Sequence, residues 1–202
     1  MVMRVVTAGG DFSYRNAKRI NQNFSEIDDK LLGWEDLRFP AAAINPLGAV
    51  SDPDLELTGV FTGTYLFDQG STEVIAGQAQ LPHAMKTGSM LYPHVHWCPT
   101  TTNVGNVRWR MGYIVADMGE VFPAAYTVLD TTGPTGGIAN MHRIVYFEPV
   151  DSTGMSLSAM LIWKISRLGG DVLDTYPADA RLLEFDIHYQ VDEVGSSEQG
   201  AK

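Results

Sequence analysis

The stretch RLLEFDIHYQV, residues 181–191, decides the fold class. Its apolar side chains occupy every second position, at Leu183, Phe185, Ile187, Tyr189 and Val191. The positions between them are polar: Glu184, Asp186, His188 and Gln190. Side chains along a β-strand point alternately to opposite faces, so this pattern predicts a strand with one face in a core and the other in water.

The same period of two recurs upstream from about residue 64, in stretches separated by Gly, Pro, Asp and Asn. These further predicted strands are TYLFD (64–68), TEVIAGQAQL (72–81), MLYPHVHW (90–97), VRWRMGYIVA (107–116), AYTVLD (125–130), HRIVYFEPV (142–150) and LSAMLIWKISRL (157–168). Eight antiparallel strands without helices between them predict a jelly-roll-like β-sandwich over residues 60–192. Trp97, Trp109 and Trp163 fall at core positions of these strands. The fold class is therefore mainly β.

Ahead of the strands, residues 14–32 read YRNAKRINQNFSEIDDKLL and have a helical period. The apolar residues follow one another at spacings of three and four, which makes a narrow stripe on an otherwise polar helix. Such a helix is marginal alone in water, so we predict that residues 1–33 form an arm and a coiled-coil or docking helix. The predicted interface is Ala17, Ile20, Phe24, Ile27, Leu31 and Trp34.

Residues 34–59, called the strap below, contain Pro40, Pro46 and Pro53 and show no periodicity. A stretch of this length without elements is either a linker or a segment packed on a neighbouring subunit. Its aromatic residues favour packing. Residues 193–202 are predicted to be a polar tail.

Composition excludes several classes of function. The chain has 202 residues and a formal net charge of −10, so it lacks the basic surface that nucleic-acid binding requires. No apolar run is long enough for a transmembrane helix. Cys98 is the only cysteine, which excludes an intrachain disulfide, and it is predicted to be a small buried side chain.

Sequence motifs of common enzymes are also missing. The chain contains no Gly-x-Ser-x-Gly elbow, no phosphate-binding loop and no His-Glu-x-x-His. The paired carboxylates lie on the predicted helix and strap, where a solvated surface is the usual explanation. We therefore predict no catalytic residues and a chain that is not an enzyme.

One motif does carry metal chemistry: Pro93-His94-Val95-His96-Trp97. On a strand, His94 and His96 project from the same face and can bind one transition metal. A third ligand is expected from His188, Asp186, His142 or His83.

Four interpretations of this motif remain open. Gly88, five residues and His-x-His are similar to the first half of the cupin metal motif, although residues 97–101 hold no carboxylate. His-x-His-Trp also resembles the zinc strand of α-class carbonic anhydrases. The two histidines can instead hydrogen-bond Glu184 or Asp186 across strands. In a trimer, the motif can present six imidazoles to one ion.

Two parts of the chain resemble proteins of tailed bacteriophages. The helix pattern formed by Asn16, Ile20, Asn21, Asn23, Phe24, Ile27 and Asp28 is similar to the N-terminal helices of tail and fibre proteins. WEDLRFPAAAINPLGAVSDPD, LPHAMKTGSMLYPHVHW and LIWKISRLGGDVLDTYPADARLLEFDIHYQVD resemble virion proteins of tailed phages and prophages.

The resemblance implies a virion component, such as a tail fibre, a neck or collar fibre or a capsid-associated protein, assembled in the host bacterial cytoplasm. It implies a homo-oligomer, of three chains, docked to other virion proteins of the tail, portal, collar or capsid. Loops near residues 100–106 and 131–139 are candidates for binding a host receptor or glycan.

Overall fold

The computed structural model describes residues 14–31, 33–48 and 51–196. Two antiparallel sheets pack face to face around a shared core, so the predicted mainly β fold with a jelly-roll-like sandwich is confirmed. Among the described residues, no helix combines the length and the apolar character needed to span a bilayer.

The elements follow the predicted order with additions in the strap and near residue 150. Helix α1 spans Tyr14–Leu31, and a single 3-10 turn spans Ala41–Ala43. The strands are β1 Gly33–Pro40, β2 Asp54–Leu55, β3 Tyr65–Phe67, β4 Thr72–Gln80, β5 Met90–Pro99, β6 Asn106–Ala116, β7 Thr127–Pro134, β8 Arg143–Tyr146, β9 Val150–Asp151, β10 Met160–Leu168 and β11 Ala180–Val191.

The strand order is that of a jelly roll. The larger sheet runs β2-β3-β11-β5-β8, with β1 also paired to β11 and β9 to β5. The smaller sheet runs β4-β10-β6-β7. From β3 to β6 the chain crosses between the sheets at every step, then β6 and β7 pair within the smaller sheet, and β8 lies again in the larger sheet.

Aromatic residues from both sheets fill the core. Trp97, Trp109 and Trp163 are fully buried, as predicted. The Trp163 ring of the smaller sheet lies 4.8 Å from the Phe185 ring of the larger sheet, centroid to centroid. Trp97 and Trp109 meet edge to face across the sandwich at 6.1 Å.

The strap differs from its prediction because part of it is a strand of the same chain. Strand β1 pairs with β11 from Gly33 opposite Val191 to Pro40 opposite Glu184. Leu37 and Phe39, two positions apart, turn toward the core, and the Phe39 ring stacks on Phe185. Two apolar positions among three prolines are too short a pattern to recognise as a strand. These residues therefore pack on their own sheet.

The second difference is a bulge in β11. Leu182 lies opposite Trp97 and Glu184 lies opposite His96, so Leu183 is an extra residue in the ladder. Leu182 is therefore buried, while Leu183 is only half-buried, contrary to prediction. After the bulge, Phe185, Ile187 and Tyr189 face the core as predicted.

Some sequence predictions concern residues outside the described ranges. These are the arm (residues 1–13) and the end of the polar tail (197–202). The side chains of Ala17 and Leu31 also fall outside the description.

Candidate functional site

Four of the chain's five histidines gather with two aspartates on the outer face of the larger sheet. This histidine–aspartate cluster comprises His94 and His96 of β5, His142 before β8, Asp186 and His188 of β11, and Asp36 of β1. It joins elements that are far apart in the sequence.

The register of the paired strands brings the side chains of the cluster together. Asp186 lies directly opposite His94, and Asp36 lies opposite His188. Val95 and Phe185, the adjacent positions on the same two strands, are buried in the core. Because side chains alternate along a strand, His94 and Asp186 must point to the outer face. The extra residue at Leu183 determines which residues of β11 point to the outer face after the bulge.

His94 and Asp186 form the buried centre of the cluster, with relative exposures of 1% and 4%. His94 Nδ1 lies 3.1 Å from the Tyr92 carbonyl oxygen, which can only accept, so Nδ1 carries a proton and donates it. His94 Nε2 lies 2.5 Å from Asp186 Oδ1. Despite this distance, Oδ1 has no hydrogen-bond partner of acceptable geometry within the described ranges.

His96 approaches the same carboxylate from the solvent side. Its Nε2 lies 3.4 Å from Asp186 Oδ2, and its side chain is 21% exposed. Its Nδ1 lies 2.7 Å from Nε2 of His142, and the two rings stack. The tautomers decide which nitrogen donates in this pair.

His188 and Asp36 extend the cluster toward β1. Nε2 of His188 lies 2.8 Å from Asp36 Oδ1, and the His188 ring lies 4.2 Å from that of His94. Tyr146 covers His94 from β8, with ring centroids 5.2 Å apart. These rings account for the burial of His94 on an outer face.

The two groups of the central pair, His94 and Asp186, have shifted pKa values. Burial alone raises the pKa of Asp186, but the neighbouring imidazoles of His94 and His96 lower that pKa to about 2. Burial lowers the pKa of His94, yet the Asp186 carboxylate and the Tyr92 carbonyl shift it above its ordinary value. The site therefore favours positive charge next to Asp186.

Of the four predicted third ligands, the structure brings three into the cluster: Asp186, His142 and His188. His83 lies elsewhere, with Nε2 2.7 Å from the Ser158 hydroxyl oxygen. Glu184, the alternative cross-strand acid, pairs with Arg38 at 2.7 and 2.8 Å. Sequence reasoning missed Asp36, because the short alternation of β1 was the only signal.

Of the predicted docking residues with described side chains, three lie on α1 and Trp34 lies on β1, two positions from Asp36. Phe24 of α1 is 62% exposed, and Ile20 and Ile27 are half-buried. Trp34 is 54% exposed and meets the Tyr92 ring edge-on at 5.3 Å.

Cys98 is buried as predicted, and burial raises the pKa of its thiol, which makes it a poor nucleophile.

The two loops considered for receptor binding contact each other. Thr135 donates its hydroxyl proton to the Asn103 carbonyl at 3.0 Å and accepts a hydrogen bond from the Gly105 amide. They form one surface rather than two.

Comparison with known proteins adds little beyond the fold. No family model matches the chain, and no curated protein matches it. A carbohydrate-binding module, CBM35 from Cellvibrio japonicus Abf62, is similar in structure, with 11% identity, a TM-score of 0.43, and coverage of 83% of this chain and 99% of that one.

Two further solved structures give the same picture. The CBM36-1 domain of a multidomain xylanase from the hindgut metagenome of Trinervitermes trinervoides has 9% identity and a TM-score of 0.42, covering 82% of this chain and 100% of that one. An Arthrobacter globiformis T6 isomalto-dextranase complexed with panose has 12% identity and a TM-score of 0.42; the match covers 75% of this chain and 23% of that one. Likeness at this level transfers neither ligand nor activity.

Proposed function

We propose that this chain is a non-enzymatic structural component of a tailed-phage particle, such as a tail fibre, a neck or collar fibre or a related attachment protein. In this proposal it assembles as a homo-oligomer of three copies and docks to other virion proteins. Support comes from the resemblance of the helix pattern and of the three quoted segments to virion proteins.

The observation that carries the proposal is an exposed aromatic side chain on the apolar stripe of α1. Phe24 is 62% exposed although it lies at the centre of a seam with spacings of three and four. This spacing suits packing against a second copy of the same helix, since each apolar side chain then enters a gap between four residues of its partner. The occupant we propose is therefore another copy of this chain.

The balance of free energies indicates that α1 aligns the chains and does not by itself hold them together. Each apolar side chain of the seam contributes roughly 1.5–3 kcal/mol when fully covered. Ordering the helices and losing the freedom of separate chains cost a comparable amount. The β-sandwich, or a virion partner, must therefore supply most of the interface.

Replacing Phe24 with Asp tests this arrangement. The buried seam cannot accommodate an unpaired charge, so F24D should weaken assembly and lower the mean mass of the full-length protein in solution below that of three chains, at concentrations where the wild type is fully assembled. Multi-angle light scattering after size exclusion measures this mass. Ser25→Asp is the matched control, because it adds the same charge to an exposed position next to the stripe.

Three results would separate the parts of the proposal. A wild-type mass of one chain contradicts self-assembly, and a mass of two chains supports it but overturns the order of three. An unchanged mass for F24D means that α1 is not the seam. In a phage that encodes the protein, F24D should remove it from purified virions while S25D should not.

The histidine–aspartate cluster favours a second candidate function. A metal-dependent cupin-like enzyme or a metal-stapled binding module would use His94 and His96, and Asp186 now provides an acidic partner for both. Metal analysis of protein purified without an affinity tag tests this candidate. A stoichiometric transition metal that is lost when both histidines become Ala supports it, and absence of the metal contradicts it.

A further inference from the structure

We propose that His94, His96 and Asp186 bind one divalent first-row transition metal ion that joins β5 to β11. This inference names the ligand set and the metal class of the second candidate function. It does not depend on the virion assignment.

The contact between a neutral His94 and the Asp186 carboxylate is electrostatically unfavourable. His94 Nδ1 donates to the Tyr92 carbonyl, so a neutral His94 has a bare lone pair on Nε2. That lone pair lies 2.5 Å from a carboxylate oxygen, and two electron-rich atoms repel each other at this distance. A positive charge is required between them, supplied by either a proton or a metal ion.

The orientation of the Asp186 carboxylate favours a metal ion over a proton at this position. Asp186 is 4% exposed, yet its Oδ1 has no hydrogen-bond partner in the part of the chain that the structure describes. A proton on His94 Nε2 balances the charge of this contact but does not form a well-directed hydrogen bond with Oδ1 in the observed orientation. A metal ion, in contrast, accepts a carboxylate oxygen and an imidazole nitrogen without requiring a linear N–H···O arrangement.

Spacing and surroundings fit one ion. One ligand atom from each of the three residues lies within 4.8 Å of the others. Ligands of a tetrahedral zinc ion lie about 3.3 Å apart, and His96 Nε2 lies 3.4 Å from Asp186 Oδ2. Rotating the Asp186 carboxyl group to widen its contact with His94 by about 1 Å gives that pair the same spacing.

Both imidazoles also have the outer hydrogen bonds that metal ligands use. The Tyr92 carbonyl holds His94 through Nδ1, and His142 faces Nδ1 of His96 at 2.7 Å. Such contacts orient the ring and leave Nε2 for the metal. Two imidazoles and one carboxylate select first-row transition metals over Mg²⁺ and Ca²⁺, which prefer oxygen ligands alone.

Zinc titration of the full-length chain tests the site. Tag-free protein, stripped with a chelator, is titrated with Zn²⁺ by calorimetry near neutral pH, and with Co²⁺ by visible absorption. We expect one ion per chain and a visible Co²⁺ spectrum. D186N and H96Q should each abolish saturation at concentrations that fill the wild-type site, and H142Q should weaken binding about 10- to 100-fold.

Controls keep the outcome decisive. His83→Gln removes a histidine outside the cluster and should bind Zn²⁺ as the wild type does. Circular dichroism verifies the fold of each variant; because His96 is partly exposed, H96Q tests the site even if D186N does not fold. Absence of zinc binding by the wild type, equal binding by folded D186N and H96Q, or equal binding of Mg²⁺ would each overturn the proposal. Light scattering of the same samples reports on self-assembly separately.

Discussion

Two buried charged groups in this sandwich, Arg167 and Asp186, differ in whether all of their polar atoms have hydrogen-bond partners. Arg167 of β10 is fully buried and uses all five of its N–H donors. Two go to Asp174 at 2.9 and 2.8 Å, and three go to the carbonyl oxygens of Phe67, Ala178 and Tyr176. Asp186 of β11 is almost as buried but has an oxygen without a hydrogen-bond partner in the described ranges.

The difference separates a structural ion pair from a candidate ligand site. Buried charge is tolerated when every polar atom is paired, as it is around Arg167. A buried oxygen without a donor costs free energy, and such exceptions call for a specific reason. The hydrogen bonds of Arg167 hold the 171–178 loop against the strands. The Asp186 carboxylate, in contrast, has an oxygen that can still bind an ion.

Removing Arg167 should produce the largest loss of stability. Arg167→Leu leaves the Asp174 carboxylate buried without its partner and takes donors from three carbonyl oxygens, so we expect a loss of about 3–5 kcal/mol in the free energy of unfolding. Denaturant titration measures it. The control is Arg110→Leu, which breaks a partly exposed pair with Asp130 and should cost about 1 kcal/mol or less. Equal losses for the two variants would contradict the interpretation that the buried, fully paired hydrogen bonds of Arg167 stabilise the fold more than a partly exposed ion pair does.

Asp186→Asn, in metal-free protein, should cost much less than the Arg167 change. Histidine can release its proton where arginine cannot, so His94 becomes neutral and its Nε2 can accept a hydrogen bond from the new amide. We therefore expect a loss of about 1 kcal/mol, measured in the same denaturant series. A loss as large as that of Arg167→Leu would mean that the Asp186 centre is already a closed ion pair.

The fold was predictable because the strands alternate strongly. Eight stretches with a period of two correspond to β3–β8, β10 and β11, and the stretch that predicted β8 ends at the first residue of β9. Strand β1 was missed because a proline ends it, two more prolines follow it in the strap, and only Leu37 and Phe39 mark its inner face. The bulge at Leu183 leaves no sign in the pattern, since Leu182 and Leu183 are both apolar.

The site was predictable only in part. His94 and His96 share a face by local periodicity alone, which the sequence reveals. Their partners come from strands whose register depends on the bulge and on the pairing of β1 with β11, and neither is local. Asp186 could therefore be named only as one of four candidates, and Asp36 could not be connected to the site at all.

The smallest expected effect concerns a third charged group, Asp130, which is open to solvent. It accepts hydrogen bonds from Arg110 at 2.7 and 2.8 Å and from Arg108 at 3.1 Å, and the Arg110 contact above all lowers the pKa of Asp130. A lowered pKa in the folded state stabilises the fold above the unfolded-state pKa of about 4, and this contribution disappears as the pH falls through the folded value.

Asp130→Asn should therefore cost about 0.2–1 kcal/mol near neutral pH and nothing once Asp130 is protonated, well below about pH 4. Denaturant midpoints of the two proteins across this range should converge on the acidic side. A difference that persists in acid would come from packing rather than charge. Asp130 accepts three guanidinium hydrogen bonds and the buried Asp174 accepts two. Convergence would therefore show that burial, and not the number of contacts alone, decides how much such a pair stabilises the fold.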